Sequence, residues 1–182
     1  MNINGWEMMI PLAFFAGTGV RVANELGAGN GRGAKFAMIV AVMTSIAIGL
    51  CFWLLVMIFH DKFAFIFSNS QPVVEMVKKL SILLAFTILL NSVQPVLSGV
   101  AVGSGWQTMV AYVNIGCYYL LGVPLGFLMG WKFGQGVMGI WAGMIGGTAV
   151  QTLILIILTV RCNWTKEAQK AHMRLQKWAG KH

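Results

Sequence analysis

The chain has 182 residues, 58% of them hydrophobic and 10% charged, with a mean hydropathy of +0.76. A soluble globular domain carries about 25% charged residues, so this much apolar surface cannot be hidden in water; the natural solvent is lipid. The net charge of +8 does not signal nucleic acid, because the basic residues sit in turns and at the C-terminus rather than on one soluble face.

The first segment, about 5–26, is the least clear in the pattern. Met8 to Val20 gives an uncharged run of 13 residues, short for a crossing. Adding Trp6 and the stretch Val22 to Leu26 makes it long enough to span. Residues 19–33 read "GVRVANELGAGNGRG". Arg21 and Glu25 lie four apart on one helix face, where they can pair. Gly27 and Gly29 begin a glycine-rich turn, and glycine's access to positive φ lets two helices reverse closely. The same string superficially resembles a phosphate-binding loop. That reading needs G-x-G-x-x-G, and Arg32 stands where the last glycine should be. A hinge between membrane helices is the better reading.

Four further runs carry no charge: 36–59, 80–102, 106–131 and 136–160. Each exceeds the roughly 20 residues that cross a bilayer. Backbone polar groups in hydrocarbon are satisfied only within a helix or a closed barrel, so these runs predict helices. Residues 1–162 thus form an all-α membrane region of about five transmembrane helices. The remaining segment, 163–182, is basic. Its residues Trp164, Ala168, Ala171, Leu175 and Trp178 recur at helical spacing, which predicts an amphipathic helix on the inner leaflet, with a solvated tail as the alternative.

Polar residues inside the apolar runs are candidates for a transport cavity or for contacts between helices. They are Asn91 and Gln94 just before Pro95, Asn114 and Tyr118 before Pro124, and Gln151 in the last run. Both prolines predict kinks. Glu7 is the one acid in or beside the first helix, where it is paired, protonated or at the interface. Gly122, Gly126 and Gly130 form one double G-x-x-x-G, and Gly139, Gly143 and Gly147 another. Such ladders let helix backbones pack closely in lipid; alternatively the same faces slide during transport. Cys51, Cys117 and Cys162 are widely separated and show no metal or redox spacing. No cofactor, metal site or catalytic residue is expected.

Charge predicts the orientation. Nine basic residues (Arg21, Arg32, Lys35, Arg161, Lys166, Lys170, Arg174, Lys177 and Lys181) fall on one side of a five-helix layout, and four (Lys62, Lys78, Lys79 and Lys132) on the other. The positive-inside rule puts the tail in the cytoplasm. The N-terminus then faces outward, an odd start for a complete transporter, and the expectation is that something upstream is missing.

The motifs "VRVANELGAGN", "QPVLSGVAVGSGWQ", "GCYYLLGVPLGFLMGW" and "GIWAGMIGGTAVQT" closely resemble plant-type multidrug and toxic compound extrusion (MATE) transporters, in order and spacing. The resemblance implies helices eight to twelve of a two-lobed, twelve-helix fold, most of the C-lobe, with "NELGAGN" as a cytoplasmic turn. It implies export of organic solutes or xenobiotics in exchange for a cation, proton ahead of Na⁺. Many relatives carry a proton-coupling Glu on helix seven and an Asp on helix ten. The first lies outside this chain, and Asn91 occupies the second position, leaving Glu7 as the acid within a span. The implied partners are the lipid bilayer, an organic small molecule, and either the missing amino-terminal lobe or a second copy. The vacuolar and plasma membranes are both open. The alternative is a non-transporting protein that packs with or regulates other membrane helices.

Overall fold

The computed structural model describes the backbone of residues 2–67 and 71–179, and the side chains of 9–59, 71, 74, 75, 77 and 80–178. In chain order the elements are α1 (Asn2–Gly27), α2 (Gly31–Phe67) and α3 (Gln71–Gly103). A fourth rod, Gln107–Lys132, is helical throughout. It comprises α4 (Gln107–Ile115), a π-helical segment (Gly116–Gly122), α5 (Val123–Phe127) and a second π-helical segment (Leu128–Lys132). Then come α6 (Gly136–Arg161) and α7 (Trp164–Ala179).

Among the described residues, four stretches are long and apolar enough to cross a membrane: Gly31–Phe59, Leu80–Gly103, Gln107–Lys132 and Gly136–Arg161. In Gly31–Phe59 only 11% of the most apolar stretch is buried, so most of its side chains must meet lipid or another helix. α1 is not among the four. Its 26 residues reach about 39 Å at 1.5 Å each, so length suffices. Arg21, Asn24 and Glu25 at one end and Asn2, Asn4 and Glu7 at the other dilute its apolar middle.

The turn between α1 and α2 is fully hydrogen-bonded. Gly29, at φ 76°, ends α1: Asn30 N donates to the Glu25 carbonyl (2.8 Å) and Gly29 N to that of Leu26 (3.0 Å). This pair of bonds is the Schellman closure that glycine favours. Asn30 then opens α2, its Oδ1 accepting from Gly33 N at 2.9 Å, the geometry of a helix N-cap. Glu25 holds the corner from both sides, pairing with Arg21 at 3.2 Å and accepting from Asn30 Nδ2 at 2.8 Å. The α3–α4 corner repeats the device with Gly105 at φ 83°, where Trp106 N donates to the Ala101 carbonyl and Gly105 N to that of Val102.

α3 packs against α1, α2, α4 and α6 and joins the two parts of the bundle. Its contact with α1 is made by backbone. A Cβ on Gly99 would strike the Phe15 carbonyl, and one on Gly103 the carbonyl of Gly19. On the α2 side, a Cβ on Gly49 would strike Ser92, and the Ser45 hydroxyl donates to the Ser92 carbonyl. On the α6 side, Leu97 and Ala101 pack with Val110 and Leu155.

The fourth rod and α6 form an antiparallel pair zipped by glycines. A Cβ on Gly147 would lie 2.9 Å from the Gly122 Cα, and one on Gly143 would strike the Gly126 backbone. One on Gly139 would lie 2.5 Å from the Met129 carbonyl carbon and 2.7 Å from Gly130 N. Each facing pair is thus four residues back on one helix and four forward on the other. Neither proline breaks its helix: α3 runs unbroken through Pro95. Pro124 stands in the first turn of α5, directly after a π-helical segment, where widened turns accommodate an amide that cannot donate.

α7 lies against α1 and α2 at the end that carries both glycine corners. A Cβ on Gly31 would sit 2.6 Å from the Trp164 carbonyl oxygen, and Trp106 and Trp164 are 6.5 Å apart between ring centroids. His172 Nδ1 is 3.1 Å from the Gly27 carbonyl. Trp164 and Ala168 join Val22, Leu26, Ala34, Met38 and Val100 in one buried cluster. The leading half of α7's apolar face is therefore covered by protein, while Leu175 and Trp178 remain exposed.

Two predictions follow from this packing. Gly143→Ala pushes a methyl into the Gly126 backbone, which cannot yield, and should cost about 1–3 kcal/mol in detergent unfolding. Gly146→Ala, where a Cβ meets nothing within 4 Å, should instead be neutral or stabilising, since Ala favours helix over Gly by about 1 kcal/mol. Equal effects at the two sites would show the zipper to be misplaced. Cys162, between α6 and α7, has its thiol pushed up to about 11 by burial and then by Glu167, with Lys170 acting in the opposite sense. The folded chain therefore favours the neutral thiol up to that pH. At pH 8 a thiolate-specific reagent should label Cys162 at least roughly tenfold more slowly than in the denaturant-unfolded chain.

Candidate functional site

The polar groups within the spans form two separate sets. The first lies on α3 around Pro95. Ser92 and Ser98 are buried, while Asn91 and Gln94 are half-buried. Pro95 has no N–H, so the Asn91 carbonyl loses its helical donor. One residue on, the Ser92 carbonyl takes the Ser45 hydroxyl from α2. Gln94 Nε2 donates to Ser98 Oγ at 3.1 Å, and Ser92 Oγ donates to the Leu89 carbonyl at 2.8 Å. The helix itself thus satisfies much of this polarity, and the side chains of Asn91 and Gln94 are the half-buried polar groups beside Pro95.

The second set bridges α4 and α6. Gln151 Nε2 donates to Asn114 Oδ1 at 2.6 Å. Gln151 is 1% exposed, and its Oε1 has no partner among the described residues. A buried amide oxygen without a donor costs about 1–3 kcal/mol, a cost set against the short bond that the same amide makes to Asn114. Tyr118, one turn beyond Asn114, faces outward and is 42% exposed. Thr148 bonds back to the Met144 carbonyl of its own helix at 3.1 Å. Of the candidates named from sequence, the fold brings Asn114 and Gln151 together. It keeps Asn91 and Gln94 apart from them by packing them on α3, and it points Tyr118 away. Glu7 belongs to α1, but its side chain lies outside the described residues.

Two hollows flank α1. A cavity of about 30 Å³ between α1, α2 and α3 is lined by Pro11, Phe14, Ser45, Gly49, Phe52 and Ser92 among others. A larger open groove of about 560 Å³ runs between α1 and α2, past Phe14, Gly17, Thr18, Phe36, Val40 and Thr44, with Arg21 at its rim. Its volume is in the range of small-molecule sites, which are about 300–1,000 Å³. Asn91, Gln94, Asn114, Tyr118 and Gln151 line neither hollow.

Sequence reasoning missed Ser45, Gly49, Gly99 and Gly103. The signal was present: Ser45 and Gly49, like Gly99 and Gly103, are small residues four apart, the same spacing as in the ladders that were noticed.

The comparisons with known proteins agree with one another. The family model described as MatE matches residues 1–128. Protein DETOXIFICATION 27 of Arabidopsis thaliana is 72% identical over 180 residues, covering 98% of this chain and 37% of the relative. Protein DETOXIFICATION 26 of the same plant is 68% identical over 179 residues, with 98% and 37% covered. The chain thus spans little more than a third of the curated relatives it matches. The structure titled "Crystal structure of eukaryotic MATE transporter AtDTX14" superposes with a TM-score of 0.85 at 36% identity, over 92% of this chain and 38% of that one. A second, "Inward-facing conformation of a multidrug resistance MATE family transporter of the MOP superfamily", has a TM-score of 0.73 at 17% identity, over 93% and 41%, and so speaks to the fold alone. On the family match and these relatives, the chain belongs to the MatE (multidrug and toxic compound extrusion) family.

Proposed function

We propose that these residues build one wall of a multi-pass membrane transporter that exports organic solutes or xenobiotics in exchange for a cation, proton ahead of Na⁺. The carrying observation is the superposition on a eukaryotic MATE transporter at TM-score 0.85 over 92% of the chain. Fold alone does not fix function, so the reading also leans on the placement of polarity. Asn91 and Gln94 stand half-exposed beside Pro95, whose missing N–H leaves the Asn91 carbonyl without its helical donor. Broken hydrogen bonding at mid-membrane is where secondary transporters bind substrates and ions. Asn91 cannot titrate, so in this reading proton coupling falls to an acid elsewhere, Glu7 being the candidate within α1.

The wall has an inside and an outside. α7 and both glycine corners share one end of the bundle, and that end carries the basic excess of Arg21, Arg32, Lys35 and the tail. In this reading it is the cytoplasmic end, in a vacuolar or plasma membrane.

Three outcomes test the proposal. In the longest natural form of the protein, Asn91→Leu or Gln94→Leu should lower transport roughly tenfold at unchanged expression; loss of folding instead would make them contacts between helices. A single cysteine at Ala28, with Cys51, Cys117 and Cys162 replaced, should resist an impermeant thiol reagent outside intact cells, and labelling there would invert the topology. The 182 residues alone, purified into vesicles, should give no substrate-dependent proton flux, because alternating access needs a second lobe to rock against. Robust flux would replace the one-wall reading with an oligomeric pore.

A further inference from the structure

α7 is longer than the surface it rests on. Its apolar face begins buried, with Trp164 6% and Ala168 0% exposed. Further along the same face, Leu175 is 55% and Trp178 75% exposed. The spacing 164, 168, 171, 175, 178 keeps all five on one side of the helix. Leu175 still touches the edge of that seat, its Cδ1 3.0 Å from where a Cβ on Gly27 would lie, and Trp178, one turn on, is the most exposed residue of the face.

A basic stripe runs beside that face. Lys166, Lys170, Arg174 and Lys177 follow one another at steps of four, four and three, which is one flank of a helix. Glu167 is the acid on this helix, and it is paired with Lys170 at 2.8 Å. Among the described residues Lys166, Arg174 and Lys177 have no ion pair. Apolar helix surface reaches the same level of the bundle: Phe36, near the start of α2, is 68% exposed, and Val160, near the end of α6, is 71% exposed. Where the spans meet lipid at that end, the overhanging face of α7 looks onto the headgroup layer of the same leaflet.

We propose that the free end of α7 docks onto anionic lipid headgroups of that leaflet. Trp178 and Leu175 enter the headgroup boundary while Lys166, Arg174 and Lys177 pair with phosphate or carboxylate groups. An exposed Trp beside Lys and Arg has the chemistry of an interfacial anchor, and anionic headgroups attract each nearby cation. The same stretch of α7 touches both corners: His172 contacts Gly27, and Arg174 approaches Gly105, its Nη1 3.5 Å from where a Cβ there would lie. Lipid held at one end of α7 thus braces both corners. This inference rests on the membrane-spanning reading and not on transport.

The test uses the full chain reconstituted in neutral phosphatidylcholine vesicles and in vesicles with about one third phosphatidylglycerol. Resistance to carbonate extraction first establishes insertion in both, so that a failure of spanning is seen separately. Quenching by shallow-brominated lipid is then compared between the native chain and Trp178→Phe, and the difference isolates Trp178. That difference should rise at least about threefold with the anionic lipid and fall back in high salt. The combined variant K166Q/R174Q/K177Q should abolish the rise without changing the unfolding temperature, because these side chains are exposed. Quenching that ignores lipid charge and salt would overturn the proposal. So would quenching that disappears at high protein density, which would assign the overhang to a second copy of the chain.

Discussion

The fold depends on backbone touching backbone. In lipid there is no hydrophobic drive to bring helices together, so packing of small surfaces does it instead. Here glycines supply those surfaces at two interfaces. Gly99 and Gly103 set α3 against the carbonyls of Phe15 and Gly19, and the two ladders set Gly122, Gly126 and Gly130 against Gly147, Gly143 and Gly139. Because α3 also carries the Leu97–Ala101 contact to Leu155 of α6, it links the two interfaces. A side chain added at either would push α3 or α6 away from its neighbours.

That closeness explains where polarity is tolerated. With backbones this near, Gln151 of α6, four residues past Gly147, reaches Asn114, eight residues before Gly122 across the π-helical segment, at 2.6 Å, and its amide is buried in protein rather than in hydrocarbon. The polarity around Pro95 is handled differently. Ser45, Ser92, Gln94 and Ser98 bond to backbone or to one another, so most of the polarity here is satisfied within protein. The first arrangement fixes a helix pair; the second leaves Asn91 and Gln94 partly available. This contrast, more than the count of polar residues, separates a contact closed between two helices from polar groups left half-buried.

Much of this was legible in the sequence. Uncharged runs longer than a bilayer forced helices, and four of them meet the length and apolarity of spans. The glycine corner at 27–31 was readable because Asn30 and Gly29 are residues suited to a cap and a left-handed turn. The less legible features are those where one residue type serves two ends. A four-residue repeat of glycines does not say which helix it faces, so the register of Gly122 with Gly147 came only from the fold. Asn114 and Gln151 are 37 residues apart, and nothing local marks them as partners. Trp164 and Trp178 look alike in the periodic pattern, yet one is buried and the other exposed, because only the length of α7 relative to its seat distinguishes them.

The central claim is that the fourth rod and α6 are locked antiparallel by the glycine ladders, with the π-helical segment Gly116–Gly122 shifting the register so that Asn114 meets Gln151. Paired-cysteine cross-linking in native membranes tests it most directly, on a background with Cys51, Cys117 and Cys162 replaced. Asn114→Cys combined with Gln151→Cys should oxidise rapidly to an intramolecular disulfide, whereas Asn114→Cys with Val150→Cys should not, because Val150 faces outward. Equal or faster coupling of the Val150 pair, or none for the Gln151 pair, would contradict the register and the site built on it.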